Sequence, residues 1–112
     1  MNHQIVPIGA AVLLLFALML VFSVPAQAQD AASVYKSKCV ACHAADGSGD
    51  TPTGKAMGVL DLRRDEVQKL TDAQIFDDIA NGVGKKMPAY KGKITDDQIK
   101  GLVTYIRGLA MK

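Results

Sequence analysis

Five residues, Cys39-Val40-Ala41-Cys42-His43, carry the densest chemistry in this chain of 112. Two thiols three positions apart, followed at once by an imidazole, form a C-x-x-C-H run, which is the attachment pattern of a c-type haem. The thiols can add across two vinyl groups of a porphyrin to give thioethers, and the histidine then stands against the iron as its proximal ligand. The protein has two cysteines, both in this run, so neither is left for a disulfide elsewhere. Two other chemistries use similar residues. A thioredoxin-like redox couple needs a strand before its C-x-x-C, and Tyr35-Lys36-Ser37-Lys38 reads as helix. A structural zinc site asks for four Cys or His ligands, and after residue 28 the chain offers only Cys39, Cys42 and His43.

A haem iron with one histidine has a sixth position to fill. Met57, Met87 and Met111 are the candidates, with a lysine as a weaker one. Met111 sits at the chain end, and Met57 falls in a segment expected to line the pocket. Met87 stands in a loop between two amphipathic segments, and Pro88 fixes the backbone directly after it. Methionine also fills irregular core gaps, yet the loop and its distance from His43 mark Met87 as the second axial ligand. For the second nitrogen of His43, a backbone carbonyl at or near Pro52 is a candidate acceptor; a plain turn is the other reading of that proline.

Composition bounds the rest. Net charge is +2, from 13 Lys and Arg against 11 Asp and Glu, and every one of these residues follows position 28. So mild a charge, without interleaved aromatics, does not suggest nucleic-acid binding. From Ile8 to Phe22 the chain is apolar or glycine, and Pro25-Ala26-Gln27-Ala28 then places small residues where a signal peptidase reads. The expected organisation is a secretory signal over 1–28 and one domain over 29–112, exported to the periplasm. No Lys or Arg precedes the apolar run, so the alternative is an uncleaved anchor on the outer face of the inner membrane. That run is shorter than the ~20 residues needed to span a bilayer.

The elements that must hold these groups read as helices. Asp30 is a candidate N-cap for a first helix running toward Cys39, with Val34 and Cys39 roughly inward and Tyr35 beside them. Residues Ala44 to Gly54 read as a glycine-rich loop, and Asp65 to Leu70 as a short helical piece. Thr71-Asp72-Ala73-Gln74 and Thr95-Asp96-Asp97-Gln98 are capping boxes. The first opens a helix, with Ile75, Phe76, Ile79 and Val83 at near-helical spacing and Gly82 as its stop; the second opens one with Ile99, Leu102, Val103, Ile106 and Leu109 on a single stripe. The fold class is all-α, with three main helices and a short one. With only 5% aromatic residues in the chain, the small domain has a thin core of its own, and a buried porphyrin would complete it.

Taken together, Cys39-Val40-Ala41-Cys42-His43, Lys86-Met87-Pro88-Ala89-Tyr90 and Leu102-Val103-Thr104-Tyr105-Ile106-Arg107 resemble the class I cytochromes c, in particular the small soluble bacterial and photosynthetic ones. The resemblance covers residues 29–112 in the family's order. It implies a cytochrome c fold around one haem c, attached through Cys39 and Cys42, with His43 and Met87 on the iron. It also implies that the first and last helices cross, with Tyr105 near the crossing. Where that family often has a glycine or an aromatic in the first helix, this chain has Ala32 and Tyr35.

A His/Met pair suits one-electron exchange, because the thioether raises the potential relative to a second histidine. No nucleophile and base stand together elsewhere, so no catalytic residue is expected. Lys85, Lys86, Lys91 and Lys93 crowd the methionine loop, with no acidic residue between Asp78 and Asp96. They could steer acidic redox partners, or simply be a solvated loop. The expectation is a monomeric electron carrier shuttling between larger redox complexes. The alternatives are a tethered haem subunit of an oxidase or dehydrogenase, and a ligand-binding haem protein if Met87 is off the iron. Arg63, Lys55 and Tyr90 are candidate partners for the haem propionates.

Overall fold

The computed structural model describes residues 26–111. Among these residues six helices follow one another: α1 (Ala26–Lys38), α2 (Val40–His43), α3 (Pro52–Met57), α4 (Asp65–Gln68), α5 (Asp72–Asn81) and α6 (Asp96–Gly108). Among the described residues there is no strand, only two isolated bridges, Val83 with Met87 and Lys91 with Ile94. No helix of these residues is long and apolar enough to cross a membrane. The apolar run Ile8–Phe22 lies outside the described residues.

Both capping boxes form as the sequence dictates. Thr71 and Thr95 accept from the backbone of Gln74 and Gln98, whose side chains return the bond to the threonine N–H. Each box satisfies two donors that a helix start would otherwise leave open. The stripes then bury as their spacing requires: Ile75, Ile79 and Ala80 on α5, and Ile99, Leu102, Val103 and Ile106 on α6. Gly82 ends α5 with φ 78°.

α1 packs across α6. At the crossing Gly101 meets buried Ala31, so that a methyl group on Gly101 would come within 3.3 Å of the Ala31 Cβ. One turn on, the rings of Tyr35 and Tyr105 lie 4.7 Å apart between centroids, tilted by 34°. The small pair lets the backbones approach, and the aromatic pair fills the widening gap. Ala32 plays no part in this crossing, since it is exposed.

Three sequence expectations are corrected. Asp30 does not cap α1, because the helix is already formed at Ala26. The Ala44–Gly54 stretch is not all loop, because α3 begins at Pro52. Thr51 caps it, accepting from the Gly54 N–H, and Pro52 occupies the first turn, where a missing N–H costs nothing. The short helices number three rather than one, since α2 and α3 join α4.

Candidate functional site

α2 holds the C-x-x-C-H run. Cys39 stands at its N-terminal side, and the His43 N–H bonds back to the Cys39 carbonyl at 2.9 Å. This single turn would be marginal alone, and the chain on either side secures it. The Thr51 hydroxyl donates to the carbonyls of Ala41 (2.9 Å) and Cys42 (3.1 Å). Gly54 lies so close that any β-carbon there would collide with the Cys42 carbonyl oxygen. Beyond the histidine, the Gly49 N–H bonds to the His43 carbonyl at 2.8 Å, and the Tyr35 hydroxyl donates to the Ala44 carbonyl at 2.7 Å.

The methionine segment is built differently. The Met87 N–H and carbonyl pair with the carbonyl and N–H of Val83 at 3.2 and 3.1 Å, closing a small loop. Gly82 permits this closure: a β-carbon there would stand 2.5 Å from the Met87 carbonyl oxygen. Tyr90 then ties the segment to two helices. Its N–H reaches the Ile79 carbonyl, and its hydroxyl donates to the Lys38 carbonyl at 3.1 Å, at the end of α1. The Lys86 ammonium donates to the Met57 carbonyl at 2.7 Å, a last-turn oxygen of α3.

Cys39, Cys42, His43 and Met87 all line one cavity of about 270 Å³, together with Met57 and a wall of core residues that includes Leu62, Val67, Ile79, Leu102 and Ile106. Met111 is exposed and lies elsewhere. Of the three candidate propionate partners only Tyr90 reaches this cavity. Lys55 pairs with Asp50 at 2.9 Å, and Arg63 with Asp61 at 2.9 Å. Pro52 is exposed in α3, and His43 Nδ1 is buried with no hydrogen-bond partner, so the carbonyl once open as its acceptor is not used.

The electrostatics of these residues follow from their burial. Burial, with the second thiol beside it, pushes the Cys39 thiol up to about 11. A thiol so protonated at neutral pH is a poor redox nucleophile, unlike that of a thioredoxin-type pair. Burial lowers the pKa of His43, which keeps its imidazole neutral and able to ligate a metal. Among the described residues no three His, Cys, Asp or Glu side chains gather as a metal site. A neutral imidazole, two free thiols and thioether sulfurs around an apolar cavity fit a covalently attached haem.

The sequence reading missed the supports. Thr51 and Gly54 were legible only as loop, although Thr followed by Pro is a helix-start signal. Gln68 and Arg107 carried no motif. Gln68 donates to the carbonyls of Leu62 (2.7 Å) and Ile106 (3.0 Å), while Arg107 binds Asp72 and the carbonyls of Gln68 and Leu70. They pin the α4 region to α6 and so close one wall of the cavity.

Comparison with known proteins places the whole domain among its relatives. Residues 26–106 match the family model described as cytochrome C oxidase, cbb3-type, subunit III. The chain is 33% identical over 90 residues to cytochrome c6 of Leptolyngbya boryana, covering 78% of this chain and 98% of that one. With cytochrome c6 of Picosynechococcus sp. the identity is 32% over 106 residues, covering 87% and 88%. Among solved structures, the KustC0563 c-type cytochrome superposes with a TM-score of 0.69 at 31% identity, covering 73% of this chain and 99% of that one. The sequence match, the helical architecture and the cavity agree: the chain belongs to the class I c-type cytochromes, small electron carriers with one covalently bound haem c.

Proposed function

We propose that Cys39 and Cys42 carry the thioether bonds, that His43 and Met87 are the axial ligands, and that the mature protein is a diffusible carrier between larger redox complexes. The observation that carries this reading is the gathering of both thiols, His43 and Met87 on one apolar cavity. Bound there, haem supplies a one-electron couple at iron. The residues of this chain do the rest. The wall around Leu102 and Ile106 excludes water, and the ties on either side of α2 hold the histidine still. Met57 shares the cavity from the end of α3; Met87 stands in the loop between α5 and α6, its backbone held by the Val83 pairing and its segment by Tyr90.

Lys85, Lys86, Lys91 and Lys93 are all exposed around the methionine segment. In this reading they form the docking face for an acidic partner. Lys86 also serves the fold through Met57, and Lys93 lies 5.9 Å from the Tyr90 ring centre. Residues 1–28 act as the export signal, with release at Gln29 into the periplasm. The description of the matching family as an oxidase subunit supports a second reading, in which the same domain stays with a larger membrane complex.

Expression with the haem-attachment machinery, fractionation and intact-mass measurement test these points together. The carrier reading predicts a periplasmic product that begins at Gln29, carries one haem and shows a one-electron Nernst slope. Its electron exchange with an acidic partner slows as salt rises. A membrane-bound product retaining residues 1–28 would replace it with the anchored reading, and a flat salt response would remove the lysine face.

A further inference from the structure

The backbone directly after His43 is strained. Ala44 has φ 64° and ψ 163°, and it stands alone among the described non-glycine residues in having positive φ. That region is essentially reserved for glycine, because a β-carbon there crowds its own backbone. Alanine persists in such a conformation only where its surroundings hold it. Here the Ala44 carbonyl accepts the Tyr35 hydroxyl at 2.7 Å and the Gly47 N–H at 3.2 Å, while the Ala44 N–H reaches the Val40 carbonyl at 3.0 Å.

A second observation concerns the imidazole. A ligating histidine ordinarily fixes its ring plane by donating its other N–H to an acceptor. His43 Nδ1 is buried with no such partner. The orientation of the ring must therefore come from packing and from the backbone that carries it. Within that backbone, the one side-chain hydrogen bond to the position after His43 comes from Tyr35, whose ring is itself locked, being 2% exposed and stacked on Tyr105.

We infer that Tyr35 is a positioning residue for His43: its hydroxyl holds Ala44 in the strained conformation and so supplies, through the backbone, the orientation that His43 Nδ1 does not receive directly. This rests on the reading of His43 as an iron ligand. The inference separates two roles of Tyr35. Its ring belongs to the helix crossing, whereas its hydroxyl serves the site.

The test uses the haem-loaded protein in four forms: wild type, Tyr35→Phe, Ala44→Gly and the double variant. Phenylalanine keeps the ring and its stacking, so the crossing survives. The paramagnetically shifted ring protons of His43 in the ferric protein, and the reduction potential, are the readouts. Tyr35→Phe is expected to move both, because Ala44 relaxes once its hydroxyl partner is gone. In the double variant both are expected to return toward wild type, because glycine occupies the same conformation without strain. Ala44→Gly alone is expected to raise the folded-to-unfolded ratio in urea roughly five-fold, the relieved strain outweighing the freedom glycine adds to the unfolded chain.

Unchanged ring protons and potential in Tyr35→Phe would overturn the inference, as would a double variant that stays displaced. A destabilised Ala44→Gly would do the same. Absence of any shifted histidine protons in the wild type would instead overturn the ligand assignment itself, and the inference with it.

Discussion

Around Cys42 and His43 the backbone is gripped from three separate segments, by two side chains and by close backbone contacts. Thr51 and Gly54 hold it from α3, Tyr35 from α1, and Gly49 from the connecting turn. Around Met87 the grip is largely the chain's own. Val83 pairs with it across a short loop, Gly82 makes room, and Tyr90 alone reaches back to α1 through a side chain. Gly84 and Gly92 have open space where a side chain would go. The histidine side is held around one turn from three segments, whereas the methionine side rests on its own closure, with Tyr90 and the Lys86–Met57 bond as its outside ties.

Gly54→Ala should show the largest effect. A methyl group driven against the Cys42 and Gly49 carbonyls is expected to cost about 3 kcal/mol by the usual scale of overpacking. Urea unfolding of the haem-loaded protein checks this, and a loss below 1 kcal/mol would show that the histidine side is looser than described. Gly82→Ala combines a positive φ of 78° with a clash at the Met87 carbonyl. The expected cost is ~2 kcal/mol, and here the methionine–iron charge-transfer absorption should weaken while the protein stays folded. If that absorption survives intact, the Val83–Met87 closure does not position the sulfur.

Tyr90→Phe removes one neutral hydrogen bond and should cost ~1 kcal/mol. Its effect is expected to be larger on methionine exchange kinetics than on global stability, and equal changes in both would erase the contrast between the two sides. The smallest effect should come from acid. Asp61, held by Arg63 at 2.9 Å and also bonded by Arg64, has its carboxyl well below the usual range. A depressed folded-state pKa contributes stability above the ordinary carboxylate value of ~3.9, and this is lost as pH falls below it. Asp61→Asn should therefore lower stability slightly at pH 7 and flatten part of the acid limb of the stability curve, with little change in strong acid, where the contribution is already lost. A change at neutral pH equal to that in acid would remove the charge from the explanation.

The legible part of this protein is the part written in local chemistry. C-x-x-C-H, the two T-x-x-Q boxes, the α6 stripe and the Gly82 stop each act within a turn or two, so residue spacing alone points to them. The crossing of α1 and α6 became an expectation through resemblance, and the structure bears it out with Ala31 rather than Ala32. What stayed hidden is long-range and polar. Gln68 reaches Ile106 across 38 positions and Tyr90 reaches Lys38 across 52, and neither contact leaves a periodic trace. The loop reading of Pro52 to Gly54 failed because composition outweighed the Thr51 cap. Glycine there is explained by close packing on Cys42 rather than by a turn.

The ferric absorption spectrum of the purified holoprotein, followed by carbon monoxide addition to the reduced form, tests the central proposal most directly. With His43 and Met87 both on the iron, the weak methionine–iron charge-transfer band is present in the wild type and in Met57→Leu. It is lost in Met87→Ala, and carbon monoxide alters the reduced spectrum only in that variant. A wild type without the band that binds carbon monoxide readily, or a band abolished by Met57→Leu and kept by Met87→Ala, would contradict the account.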